Sequence, residues 1–208
     1  MKTLCTKVKE FLESRKKTPV KVALIVGHTA KHRGATLYDG RDEYTYNSLV
    51  AQKVASKMGE LRVSIPLEVE TKVFYRGSGG VMGVAEAVGL NGWGADVSIE
   101  LHFNAAGTPK ARGLEVICID EASALKARPL IDALAYSFIQ KPRGDRGIKW
   151  VSSYERGYKN IKCCQDQGVK YSMLLEPFFG DCRTSESVRY VEGVELYVDE
   201  LIDFIAGL

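Results

Sequence analysis

The 208-residue sequence has no apolar run approaching the ~20 residues that a membrane-spanning helix requires. Charges interrupt the first 19 residues every few positions, so no secretory leader with an apolar centre is readable there. Stable membrane insertion is not expected, and synthesis in a cytoplasm is. Linkers are lacking too. The six prolines are scattered, and no Gly/Ser-rich, low-complexity or repeated tract divides the chain. Length and a hydrophobic content of 45% therefore predict one domain, residues 1–208, with a sizeable core. Charge of one sign is scarce: a net +3 is too small to argue for nucleic acid. The small excess is local. Residues 1–21 carry seven Lys/Arg against Glu10 and Glu13, so +5, and the remainder carries −2. Leu4, Val8, Phe11 and Leu12 recur at helical spacing, so residues 1–19 read as a basic amphipathic helix on or beside the domain. Its charged side is either a solvated face or one that favours anionic surfaces.

Cysteine is present but unpatterned. Cys5, Cys118, Cys163, Cys164 and Cys182 are an odd number without regular pairing, which excludes a disulfide framework. No CxxC pair and no histidine close to any of them in sequence argue against a cysteine metal site. A Cys–His nucleophile assembled in space stays open. Histidine itself occurs only three times, as His28, His32 and His102.

Against this spare background, apolar runs mark the strands. Val20 to Val26 is β-branched and apolar, and delivers Gly27-His28. Val97, Ile99, Leu101 and Phe103 alternate with Ser98, Glu100 and His102, so Glu100 and His102 share one face of a strand. Val169 to Leu175 ends in Glu176. Further strands are expected around Val69 to Phe74, over Gly113 to Ile119, and after the polar loop Asp145–Lys149. Helices are expected from Glu43 to about Gly59, over 81–92, over 121–140 with a kink or break at Pro129, over 155–167, and in one piece from Ser185 onward. Alternating strands and helices predict an α/β fold: a single, largely parallel twisted sheet of about six strands flanked by helices.

Three of these strands end in His28, His102 and Glu176, at the edge where such sheets bind ligands. Glu43 opens the helix after the first strand; the helix dipole alone favours an acid there, and Asp39 and Asp42 are rivals in the same loop. A lone histidine of this kind is most often a satisfied core residue, and Glu176 alone could bridge to a Lys or Arg. Together, two histidines and a carboxylate are a recognised donor set for catalytic zinc, which acidifies a bound water and polarises a carbonyl. A further carboxylate can then move the water's proton to a leaving amine. No HExxH-type local signature is present, so spacing alone leaves the reading open.

Several stretches, in order, carry a resemblance. Val22 to His28 is an apolar strand ending in Gly-His, followed by Gly34-Ala35. Glu43 and Asn47 form Glu-x-x-x-Asn at a helix start. Ala95-Asp96 leads to His102-Phe103-Asn104-Ala105, with Gly113-Leu114-Glu115-Val116 following. Arg146-Gly147 comes next, and Leu174-Leu175-Glu176, Phe179 and Glu186 close the series. From about Val22 to Leu201 the chain resembles the type 3 family of zinc-dependent N-acetylmuramoyl-L-alanine amidases, found in bacterial wall remodelling and in phage endolysins.

The resemblance implies a Zn2+ cofactor held by His28, Glu43 and His102, with Glu176 as the catalytic carboxylate. It implies peptidoglycan as substrate, cut at the amide between N-acetylmuramic acid and the L-alanine of the stem peptide. Arg76, Asn104 and Arg146 are candidate substrate-binding residues; Arg76 and Arg146 are equally readable as structural. The family usually has a small hydroxyl residue where this chain has Glu100, Val26 stands where proline is frequent, and Pro177 follows Glu176. Glu100 is expected behind the metal, bonded to a ligand histidine or a basic group, rather than on it. The absence of a leader and of a separate wall-binding unit favours a phage-type lysin, and the basic amino-terminal face could favour polyanionic wall polymers. The alternatives are a zinc peptidase or carboxypeptidase acting on the stem peptide, and a non-catalytic wall-binding homologue. Nothing in the sequence bears on oligomeric state.

Overall fold

The computed structural model describes residues 18–64 and 68–208; the helix expected over residues 1–19 and Cys5 lie outside them, apart from residues 18 and 19. Six strands form one sheet: β1 (Val20–Val26), β2 (Val69–Tyr75), β3 (Val97–Leu101), β4 (Glu115–Cys118), β5 (Ile148–Trp150) and β6 (Tyr171–Glu176). Their order is β2-β1-β3-β6-β4-β5. β2, β1, β3 and β6 are mutually parallel, whereas β4 runs antiparallel to β6 and parallel to β5. The predicted α/β architecture and strand count therefore hold.

Parallel register sets the functional edge. Val26 pairs with Leu101, and Leu101 with Leu175. The residues just beyond these partners, His28, His102 and Glu176, thus arrive at one end of the sheet. Because β4 runs the other way, it is its first residue, Glu115, that pairs with Glu176 at that edge.

Helices cover both faces, as a mainly parallel sheet demands. They are α1 (Glu43–Ser64), α2 (Gly80–Val88), α3 (Glu121–Ser137), α4 (Tyr158–Asp166), α5 (Ser185–Glu192) and α6 (Val194–Ala206). On one face Val22, Leu24, Ile99, Leu101 and Leu175 pack with Val50, Val54, Leu134, Val198 and Leu201 in the main core. On the other, Ala23 and Ile25 pack with Val84, Val88 and Cys164 from α2 and α4. At the main core's centre Phe138, Tyr190 and Phe178 stack face to face, 3.8 and 4.6 Å between ring centroids, with Phe103 and Tyr46 leaning on Phe178. The Tyr46 hydroxyl donates to the Tyr190 carbonyl at 2.9 Å, so the buried phenol keeps a partner.

Several boundaries differ from the sequence reading. α1 passes through Gly59, which has no left-handed φ to end it. A lone glycine costs a helix about 1 kcal/mol, and good helix formers surround this one. α3 also continues through Pro129 without a break. The hydrogen bond that proline removes would reach Leu125, which like Pro129 lies on the solvent side. The last helix is divided at Gly193 into α5 and α6. The valine stripe keeps its phase across that break, so periodicity alone does not reveal it. Among the described residues, no helix is long and apolar enough to cross a membrane.

Candidate metal centre

Glu43 reaches the strand ends because of how its loop closes. Asp42 caps α1, accepting from the Thr45 N–H at 2.8 Å, and pairs with Arg33. Asp39 is taken up by Arg41. Both rival acids are thereby committed to the loop, and Glu43 turns inward, 1% exposed. Its Oε2 accepts from the Ala35 N–H and its Oε1 from the Phe103 N–H, both at 3.1 Å. His102 Nδ1 lies 2.8 Å from Oε1, and His28 Nε2 lies 3.0 Å from Oε2. Burial opposes the charge, but the hydrogen bond with His102 and the nearness of His28 hold this carboxyl well below the usual range.

The two histidine rings meet edge to face, centroids 4.9 Å apart. His28 takes a positive φ of 67°, uncommon for a residue with a side chain and a mark of local backbone strain. Two glycines make room. A Cβ on Gly27 would stand 2.5 Å from His102 Cε1, and one on Gly34 (φ 81°) 2.6 Å from Glu43 Oε2 and His28 Cδ2. His32 sits exposed in the loop between them, as expected.

This set fits a divalent cation. Among the described residues, one donor atom each from His28, Glu43 and His102 lies within 4.8 Å of the others. His28 Nε2 is buried and, despite its distance from Glu43, makes no aligned hydrogen bond. A buried ring nitrogen that lies beside an ionised carboxylate without a hydrogen bond of its own is what a metal ligand presents before binding.

Glu176 stands at the same edge, 4% exposed. Burial, with the neighbouring Glu115 carboxylate adding to it, pushes its pKa up to about 7. Glu115 entered the sequence reading only within the stretch Gly113–Val116, with no role of its own. Burial works to raise its pKa, but Lys149 (3.1 Å) and Asn104 (3.3 Å) bond to it and hold it low, and Arg143 pairs with it at 3.0 Å. A charged residue between Leu114 and Val116 in an apolar strand was its signal, beside its place in that stretch. Asn160, on α4, gave none; its Nδ2 donates to Glu100 at 3.0 Å.

The remaining candidates divide. Glu100 is buried, bonded to His102 Nε2 at 2.9 Å and ion-paired with Arg76. The Arg76 guanidinium is thus engaged within the protein, though Arg76 also lines a cavity of about 480 Å³ with Lys31, His32 and Ser78. Asn104 faces Glu115. Arg146 is 81% exposed and pairs with Asp145 and not with this group.

Among solved structures, the catalytic domain of the CD27L endolysin targeting Clostridia difficile is similar at a TM-score of 0.67 and 20% identity, over 90% of this chain and 97% of that one. The amidase Ami1 from Mycobacterium smegmatis gives 0.68 and 19%, over 92% and 98%. The amidase from Clostridium difficile 630 gives 0.63 and 18%, over 92% and 95%. At these identities the likeness shows the fold. No curated protein matches the sequence. A family model described as N-acetylmuramoyl-L-alanine amidase matches residues 22–180, well over half the chain. The chain belongs to the N-acetylmuramoyl-L-alanine amidase family.

Proposed function

We propose that this amidase is zinc-dependent, with His28, Glu43 and His102 as ligands and Glu176 as the catalytic carboxylate. The observation that supports the reading best is the convergence of the three donor atoms within 4.8 Å beside a buried acid whose pKa lies near 7. Zinc held there would supply an acidified water and a polarised carbonyl.

The chain's own residues supply the proton chemistry. An acid titrating near neutrality can accept a proton and return it in the same turnover. Glu176 takes the proton of the attacking water and delivers it to the departing L-alanine nitrogen. Glu115, fixed by Lys149, Arg143 and Asn104, keeps the proton affinity of Glu176 high enough for the second transfer. Glu43 keeps its charge through two backbone N–H groups, as a ligand must. A phage-type lysin is one setting for this chemistry, and the solved structures similar in fold include an endolysin domain and bacterial enzymes alike.

Digestion of purified wall tests the reading. Free L-alanine amino termini should appear, without new reducing ends, and metal analysis should find one zinc per chain. Release of stem-peptide residues without L-alanine amino termini would favour a peptidase instead.

A further inference from the structure

Glu100 lies on the site-facing side of β3 and is 4% exposed. A buried carboxylate costs several kcal/mol unless charged and hydrogen-bonding partners surround it. Three partners surround this one, each from a different segment. Arg76, in the loop after β2 and only 13% exposed, forms an ion pair with Oε1. Asn160 Nδ2, on α4, donates to Oε1 at 3.0 Å. His102 Nε2 stands 2.9 Å from the same oxygen.

These contacts place a hydrogen on Nε2 of the His102 ring. A carboxylate beside a guanidinium only accepts, so His102 Nε2 donates. Turning the ring over would set ring carbons against both Glu100 and Glu43, which removes the alternative orientation. The other nitrogen, Nδ1, faces Glu43 at 2.8 Å.

We propose that Arg76 and Asn160 hold Glu100 as a fixed acceptor for His102 Nε2–H, committing His102 to meet the metal through Nδ1. The inference rests on the metal reading above. Glu100 is then a positioning residue acting through His102. It lies outside the set His28, Glu43 and His102 whose donor atoms converge. Carboxylates in this outer position fix the tautomer of ligand histidines and raise their basicity. A neutral side chain at this position would need no counter-ion. The glutamate does, and Arg76 provides it. Arg76 therefore serves the metal ligand through Glu100.

The test uses the full chain loaded with ¹¹³Cd²⁺ and labelled with ¹⁵N-histidine. Cadmium should couple to His102 Nδ1 while Nε2 keeps a slowly exchanging proton; coupling to Nε2 overturns the proposal. In parallel, the zinc Kd is measured by chelator competition. Glu100→Gln should weaken binding 10- to 100-fold, as loss of outer-shell partners does. Asn160→Ala should weaken it less, and Arg76→Lys should restore most of what Arg76→Met loses. An unchanged Kd in folded Glu100→Gln also overturns the proposal; if that variant fails to fold, the wild-type cadmium spectrum decides. A wild type that binds neither metal overturns the metal reading itself, and the proposal with it.

Discussion

Glu115 and Glu176 occupy paired positions on neighbouring antiparallel strands, and the Glu115 carboxylate works to raise the pKa of Glu176 at the edge of the donor group. Two adjacent buried carboxylates do not ionise together easily, so one proton is retained between them. Lys149, Arg143 and Asn104 all attach to Glu115, which leaves the proton on Glu176.

A stability test follows for the metal-free protein. Glu176 has a folded pKa near 7, above its usual 4.5. Its favourable contribution is complete below 4.5 and lost as pH rises through 7. Glu176→Gln carries no such charge. Its stability relative to the parent should therefore be higher at about pH 8.5 than at about pH 4.5, by an amount on the order of 3 kcal/mol, and its Tm should follow. Thermal melts across that range check it; a pH-independent difference contradicts it.

The same pair shapes activity. Glu115→Gln removes the neighbour that raises the proton affinity of Glu176. The acid limb of the kcat–pH profile should move to lower pH, by about one unit. A limb that stays in place would separate Glu115 from the chemistry.

Glu176→Ala should keep its zinc and lose turnover by about 10²- to 10⁴-fold, the usual worth of a positioned proton-transfer group. Metal content and release of L-alanine amino termini are measured on the same preparation. Loss of zinc in step with activity would make Glu176 a ligand.

Gly34→Ala should weaken zinc binding at least tenfold, because its Cβ would stand 2.6 Å from Glu43 Oε2. Gly40→Ala is the control. It imposes similar backbone strain at φ 93°, about 1–2 kcal/mol, but its Cβ meets open space. Chelator competition should show the zinc effect for Gly34→Ala alone.

Much of this was legible in the sequence, for a physical reason. Apolar β-branched runs define where strands end, so His28, His102 and Glu176 could be placed on one edge before any contact was known. Alternation likewise put Glu100 on the face of His102. What could not be read was set by contacts between distant segments. Asn160 lies 60 residues from Glu100 in sequence, and no local pattern joins them. The reversed direction of β4, which brings Glu115 to the site by its first residue, leaves no trace in the residues of the strand itself. The continuation of α1 through Gly59 and the break at Gly193 show the same limit: one glycine is outweighed by its neighbours and the other is not.

The stacked rings of Phe138, Tyr190 and Phe178, with Phe103 against them, bear on how the site breathes. Phe103 follows His102 directly, and Phe178 lies two residues past Glu176. Both strand tips that carry the chemistry are thereby keyed into one aromatic column anchored on α3 and α5. Neither tip can swing out without parting that column, so the site has no cheap sub-global opening of its own. Hydrogen exchange should therefore find the amides of His102 and Glu176 opening only together with the surrounding core.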